Sequence, residues 1–311
     1  GAASARELGR YAVLDEIAAG GMATVHLGRV LDGPADAVEF VAIKKMHAQF
    51  SRDPDFRSMF LDEAKLVRRI THENVVRTLD VVDAEELLLV MELIEGESLS
   101  RLAKQTAHRK QRIPQPIVSA VMQDMLRGLH AAHEATNEAG EPLAIVHRDV
   151  SPHNVLLSWE GAVKISDFGI AKARAASAAT ASELIKGKPA YMSPEQANGE
   201  GLDGRSDLFA VGIVLWELLV GRRLFVAEDT RATIARVLFA PIPRPRALRP
   251  ELGRELERVV MTLLERDLPA RYPTAEAALA DLLRCPEAPR AGREALAAVL
   301  GERFAGDAPV R

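Results

Sequence analysis

At Gly96 the chain changes character, and this change restricts its fold more than any other feature. Upstream, residues 11–95 read mostly as strands around a single helix. "YAVLDEIAAGGMATVHLGRV" holds two apolar runs joined by a Gly-Gly turn, which is a hairpin signal. "EFVAIKKM", "VVRTLDVVD" and "LLLVMELI" read as further strands, while "DFRSMFLDEAKLVRRI" has the spacing of an amphipathic helix. Downstream, "QPIVSAVMQDMLRGLHAAHE" and "AVGIVLWELLVG" are helical. Strands first and helices after predict an α+β chain with a small β-rich lobe and a larger, mainly helical one. The junction near Met91 to Gly96 then marks a cleft. The expected division is an extension over 1–10, a domain over 11–284 with lobes at 11–95 and 96–284, and a tail over 285–311.

Charge narrows the partners. The 311 residues carry a net charge of −4, so nothing sequence-wide points to nucleic acid or to an anionic membrane. The single cysteine, Cys285, excludes an intrachain disulfide and fits a reducing compartment; it reads as an incidental thiol near a domain end. The longest apolar stretch, "FAVGIVLWELLV" (209–220), is short for a membrane span and contains Glu217, so it reads as a buried helix. "GAASARELGR" lacks the apolar segment of a secretory signal, and a cytoplasmic location with no membrane segment in this chain is expected. "APIPRPRALRP" (240–250) reads as an extended connector. "REALAAVLGERF" reads as a helix, either docked on the large lobe or part of a linker.

Several short stretches suit phosphoryl transfer, which needs a held triphosphate, placed metal charge and an aimed acceptor. In "IAAGGMATV" (17–25), Gly20 and Gly21 let backbone N–H groups approach phosphate oxygens. Ala18 and Ala23 stand where the pattern G-x-G-x-x-G has its first and third glycines, so the loop should be stiffer. Lys44 in "VAIK" is available for phosphates, with Lys45 on the opposite strand face and Glu63 a ready partner. Taken alone, these are a common hairpin connector, a surface lysine and a solvated glutamate. "HRDVSPHN" (147–154) and "SDFGIAK" add Asp149, suited to accept a hydroxyl proton, and Asn154 and Asp167, oxygen ligands suited to Mg²⁺. Their order, with "YMSPEQ" following, is hard to reach by accident.

With these motifs the chain resembles the bacterial eukaryotic-like (Hanks-type) serine/threonine protein kinases from about Tyr11 to Arg284. The resemblance implies the bilobal kinase fold, ATP and Mg²⁺ (or Mn²⁺) as cofactors, and protein substrates. It makes Asp149, Lys44 and Glu63 catalytic and Asn154 and Asp167 metal ligands. In "LLLVMELIEGESL", it makes Met91 the residue behind the adenine pocket. Glu92 and Ile94 would bond adenine through their backbone, and Val25, Ala42 and Leu156 would enclose its ring. It also implies that Asp207 anchors the catalytic-loop backbone and that Arg271 pairs with Glu195 of the S-P-E motif.

Two departures stand out. Ser151 replaces the lysine that touches the γ-phosphate in the family, and Lys188 in "GKPAYMSPE" replaces a threonine that bonds the catalytic aspartate. Lys188 is therefore expected to supply the missing cation, the alternative being a basic contact to the substrate. Between Asp167 and Glu195 lie Ser177, Thr180 and Ser182, expected targets of autophosphorylation, with Arg148 placed to pair with the phosphate. A homodimer is the partner state for phosphorylation in trans. The main rival is a pseudokinase scaffold, which has no chemical reason to keep Lys44, Glu63, Asp149, Asn154 and Asp167 together. A small-molecule phosphotransferase is a weaker rival, since such enzymes lack the S-P-E segment.

Overall fold

The computed structural model describes residues 6–32, 39–168, 189–288 and 292–305. They divide into two compact units. The first comprises residues up to Thr71 together with Val76–Ile94; the second takes His72–Val75 and the described residues from Glu95 onward.

The first unit is built on six strands, β1 (Arg6–Leu8), β2 (Tyr11–Ala19), β3 (Ala23–Val30), β4 (Phe40–Met46), β5 (Thr78–Asp83) and β6 (Leu87–Glu92), in the order β1-β2-β3-β4-β6-β5. Every pairing is antiparallel. Tyr11 and Val13, Val41 and Ile43, and Leu88 and Val90 form one apolar cluster, the residues two apart along three strands. Gly28 is required beneath it, because a Cβ there would lie 2.3 Å from Ile43 Cδ1. After the short helix α1 (Ala48–Ser51), α2 (Pro54–Val67) starts at Asp53, whose side chain accepts from the N–H of Asp55 and Phe56, with Pro54 in the first turn. Phe56, Phe60, Ala64 and Val67 are its buried stripe. The strand expected over "VVRTLDVVD" begins only at Thr78, because Val75 bridges Ile165 within the second unit.

The second unit has a three-stranded sheet, β7 (Gly96–Ser98), β8 (Val155–Ser158) and β9 (Val163–Ile165), in that order. Helices α3 (Leu99–His108), α4 (Gln115–His133), α5 (Pro194–Ala197), α6 (Gly204–Val220), α7 (Thr230–Phe239), α8 (Pro245–Leu248), α9 (Arg254–Leu263), α10 (Ala275–Leu283) and α11 (Gly292–Arg303) follow. The run with Glu217 is α6, buried from Ser206 to Val220 and ended by Gly221 in the left-handed region (φ 81°). Gly212 permits close packing of α6, since a Cβ there would lie 2.8 Å from Leu263 Cβ. Among the described residues no helix is long and apolar enough to cross a membrane. The segment 240–250 is only partly extended. Pro245 opens α8, and Arg246 N–H donates to buried Glu257 at 2.8 Å.

Candidate active site

In the second unit, the loop 147–154 is held from below by α6. Asp207 is fully buried, and its carboxylate accepts from the backbone N–H of His147 (2.8 Å) and of Arg148 (2.9 Å). The same carboxylate meets His133 Nε2 at 2.8 Å. Burial alone would raise the Asp207 pKa, but His133 and the His147 N–H outweigh it and hold the group below its ordinary range. The His147 ring is buried as well, and burial pushes its pKa down despite the aspartates nearby. A neutral ring fits its bonds: Nδ1 accepts from Asp149 N–H at 3.1 Å, so Nε2 carries the proton donated to Ser166 O at 2.9 Å. Phe168 packs on this ring, with centroids 4.5 Å apart.

Asn154 ties the acidic groups together. Its Nδ2 donates to Asp149 O (2.8 Å) and to Asp149 Oδ2 (3.0 Å), leaving Oδ1 as the side-chain acceptor. Its backbone carbonyl accepts from Ser166 N–H at 2.9 Å, and Asp167 is the next residue. Asp149, Asn154 and Asp167 are thus brought into one hydrogen-bonded segment. Arg148 (φ 65°) and Asp167 (φ 57°) both occupy the left-handed region, a conformation costing about 1–3 kcal/mol in a residue with a side chain. The surroundings over-determine Arg148: its N–H is held by Asp207, and its carbonyl accepts from Gln196 Nε2 at 2.9 Å. Ser151 is fully buried and leads into the 3-10 turn Pro152–Asn154, its carbonyl accepting from Asn154 N–H. Leu156 follows on β8.

The first unit gathers the other expected residues by strand register. Val25 lies opposite Lys44, Lys44 opposite Leu89, and Ala42 opposite Met91. Since partners share a face and residues two apart do too, Val25, Ala42, Lys44 and Met91 occupy the face opposite Val41 and Ile43. Lys45 turns the other way, 3.7 Å from Glu86. Glu63 sits on α2 beside buried Ala64. Gly20 and Gly21 form the β2–β3 turn, where Gly20 N–H donates to Ala23 O at 2.9 Å. Neither has a positive φ, and a Cβ at Gly21 would meet nothing within 4 Å, so folding of the turn does not demand glycine there. Glu92 N–H donates to Arg77 O, and Ile94 ends this unit.

The S-P-E segment is fixed in the second unit. Ser193 caps α5, and Glu195 is joined by Arg271 through bonds of 2.7 and 3.2 Å, with Ser206 Oγ donating at 2.7 Å. Tyr191 OH donates to Glu217 at 2.7 Å, Arg223 Nε donates to the same carboxylate at 3.1 Å, and burial raises the pKa of Glu217. His133 and this Tyr191–Glu217–Arg223 cluster escape the sequence reading; a glutamate within an apolar run was the available signal for the second. Lys188, Ser177, Thr180 and Ser182 lie outside the described residues. Among the described residues no group of three or more His, Cys, Asp or Glu forms a metal cluster. A donor set of one amide and one carboxylate suits Mg²⁺, which keeps waters and takes phosphate oxygens.

The protein kinase domain model matches residues 11–282. Tyrosine-protein kinase MasK of Myxococcus xanthus is 42% identical over 86% of this chain and 42% of its own length. Serine/threonine-protein kinase PknL of Mycobacterium bovis is 37% identical over 88% of this chain and 65% of its length. Serine/threonine-protein kinase PrkC of Bacillus subtilis is 34% identical over 91% of this chain and 41% of its length. The chain therefore spans less than two thirds of each relative. The kinase domain of Mycobacterium tuberculosis PknI superposes with a TM-score of 0.69, covering 90% of this chain and 98% of that one at 23% identity. The chain shares that fold and belongs to the protein kinase domain family.

Proposed function

We propose that the chain transfers the γ-phosphoryl group of ATP to serine or threonine hydroxyls of proteins. The observation that carries this reading is the Asp149–Asn154 pair, pinned by buried Asp207 and joined through Ser166 to Asp167. Asp149 takes the hydroxyl proton as the acceptor oxygen bonds to the γ-phosphorus and the bond to the β–γ bridging oxygen breaks, releasing ADP. Asn154 Oδ1 and the Asp167 carboxylate hold Mg²⁺, or Mn²⁺, which neutralises charge on the phosphate oxygens. Lys44, positioned by Glu63, takes the phosphates; Gly20 and Gly21 cover them, in a turn whose fold leaves room for a close approach. Val25, Ala42 and Leu156 enclose adenine, with Met91 behind it. Glu92 has its N–H committed, so its carbonyl serves the base together with the Ile94 backbone.

The acceptor reading follows the names of PknL and PrkC; MasK is named a tyrosine kinase, so acceptor identity is part of the test. We assign control to autophosphorylation at Ser177, Thr180 or Ser182, in trans within a homodimer, and a cytoplasmic site of action, where ATP and protein substrates meet. Lys188 supplies the cation that Ser151 does not. The test is mass spectrometry after incubation with Mg²⁺ and ATP, beside Asp149→Asn. Phosphate on serine or threonine in the wild type alone supports the reading. Phosphotyrosine alone would move it to MasK's class, and no phosphate on the chain or on a generic protein substrate would favour a scaffold.

A further inference from the structure

Helix α11 lies beyond the residues matched by the kinase model, yet it is packed into the second unit. Leu296, Leu300 and Phe304, each four residues apart, are buried at 1%, 0% and 2% exposure. The Phe304 ring meets Trp159 edge-on, 5.9 Å between centroids, and Arg101 of α3 lies over it at 5.6 Å. Arg109 Nη2 donates to Arg303 O at 3.0 Å. At its other end, the helix presses on Gly161: a Cβ there would lie 2.0 Å from Arg293 O, and φ is 83°.

Trp159 and Gly161 form the closed end of the β8–β9 hairpin. Its open end carries Asn154, just before Val155, and Asp167, two residues after Ile165. The two strands are short and hydrogen-bonded, roughly 3.3 Å per residue, so a tilt imposed at the turn reaches the open end without dissipating in a long loop. Helix α3, the other support of Phe304, also touches the loop: Ser100 Oγ and His153 Nε2 are 3.2 Å apart.

We propose that Phe304 is a positioning residue, and that α11 holds the β8–β9 hairpin and thereby the separation of Asn154 from Asp167. The inference rests on the reading of those two as metal ligands. It makes this helix part of the catalytic unit.

The test compares Phe304→Ala, Phe304→Leu and Gly161→Ala with Val259→Ala, a truncation of a fully buried side chain on α9. Hydrogen exchange of residues 155–165 is followed without nucleotide or metal, and the Mg²⁺ concentration for half-maximal autophosphorylation is measured separately. An aromatic pair of this kind accounts for up to roughly tenfold in a local opening equilibrium. Phe304→Ala should speed exchange of the hairpin by about that factor and raise the Mg²⁺ requirement several-fold. Phe304→Leu should recover part of both, and Gly161→Ala should reproduce the defect from the hairpin side. Val259→Ala should lower the melting temperature and leave both readouts alone. Exchange unchanged in Phe304→Ala, or changed equally in Val259→Ala, overturns the proposal. Faster exchange with an unaltered Mg²⁺ requirement overturns it as positioning. Asp167→Ala separates the two readings: if Mg²⁺ dependence survives there, the ligand assignment fails while the metal-free exchange result stands on its own.

Discussion

Arg271→Met is the perturbation whose cost is best defined. Its guanidinium has no exposed surface and donates to both Glu195 oxygens, to Arg205 O (2.7 Å) and to Glu265 O (2.8 Å). Methionine keeps much of the stem but none of the donors. Glu195 would retain Ser206 Oγ, and the part-buried carbonyls of Arg205 and Glu265 would each lose this donor. Removing one member of a buried pair costs about 3–5 kcal/mol, because the other charge stays desolvated. At about 2–4 °C per kcal/mol for units of roughly 150–250 residues, the melting point should fall by about 6–20 °C. Trp159 and Trp216 both lie in the second unit, so tryptophan fluorescence in a urea titration reads that unit directly. The pH dependence has a definite sign. Burial raises the Glu195 pKa, but its bonds to Arg271 and Ser206 outweigh burial and keep it lowered. In the wild type this stabilisation is complete above the ordinary carboxylate range and is lost as pH falls through the lowered value. In the variant burial prevails, the carboxyl protonates more readily, and the penalty eases on acidification. The difference between wild type and variant should be greater at pH 7.5 than at pH 5. A loss under about 1 kcal/mol at pH 7.5, the size of an exposed pair, or a loss that grows toward pH 5, would refute the reasoning.

Asp207→Asn keeps the shape but replaces one acceptor oxygen with a donor that faces a buried N–H. A cost of about 1–3 kcal/mol and a fall in kcat with little change in KM for ATP are expected from steady-state kinetics. Cys285 is buried at 4% exposure and its thiol is raised to about 11, chiefly by burial, so iodoacetamide at pH 8 should label it only after denaturation. Gly28→Ala should destabilise the first unit by about 1–3 kcal/mol in denaturant titration, through its clash with Ile43. Gly21→Ala, with open space around it, should stay within about 0.5 kcal/mol.

The contrast between what is legible in the sequence and what is not follows the range of the interactions. Short apolar runs expose β4 and β6, and the Phe56–Phe60–Ala64 stripe exposes α2, because each depends on neighbours a few residues away. The candidate site segment is legible for the same reason: Asp149 and Asn154 fall within one loop, and Asp167 follows two residues after the hairpin that continues it. The bond of His133 to Asp207 spans 74 residues and exists only because α4 packs on α6. No local pattern marks it. His72–Val75 join the second unit through Asn74, whose Nδ2 donates to Val163 O and whose carbonyl accepts from Ile165 N–H, partners some 90 positions away. The apolar pattern of α11 fits a free amphipathic helix as well as a docked one, and its burial against α3 and α4 depends on partners far away in sequence.

Ser151 bears on the charge balance at the transferring phosphate. It is fully buried at the start of the turn that positions Asn154, so a lysine in its place must bury its stem and bring only the ammonium out toward a phosphate. The serine dispenses with that cost and also with a cation that would stabilise charge on the transferring phosphate. If Lys188 supplies it, Lys188→Ala should lower the initial rate of autophosphorylation by about 10²–10³-fold, the usual effect of losing one charge donor at the transition state. The melting temperature should stay unchanged. Ser151→Lys added to Lys188→Ala should recover part of the rate at some expense of stability, since the new stem enters a filled site. The two observables move in opposite directions, and that separates charge replacement from a fault in folding. An undiminished rate in Lys188→Ala would mean that the reaction proceeds without that cation and would return Lys188 to the role of a substrate contact.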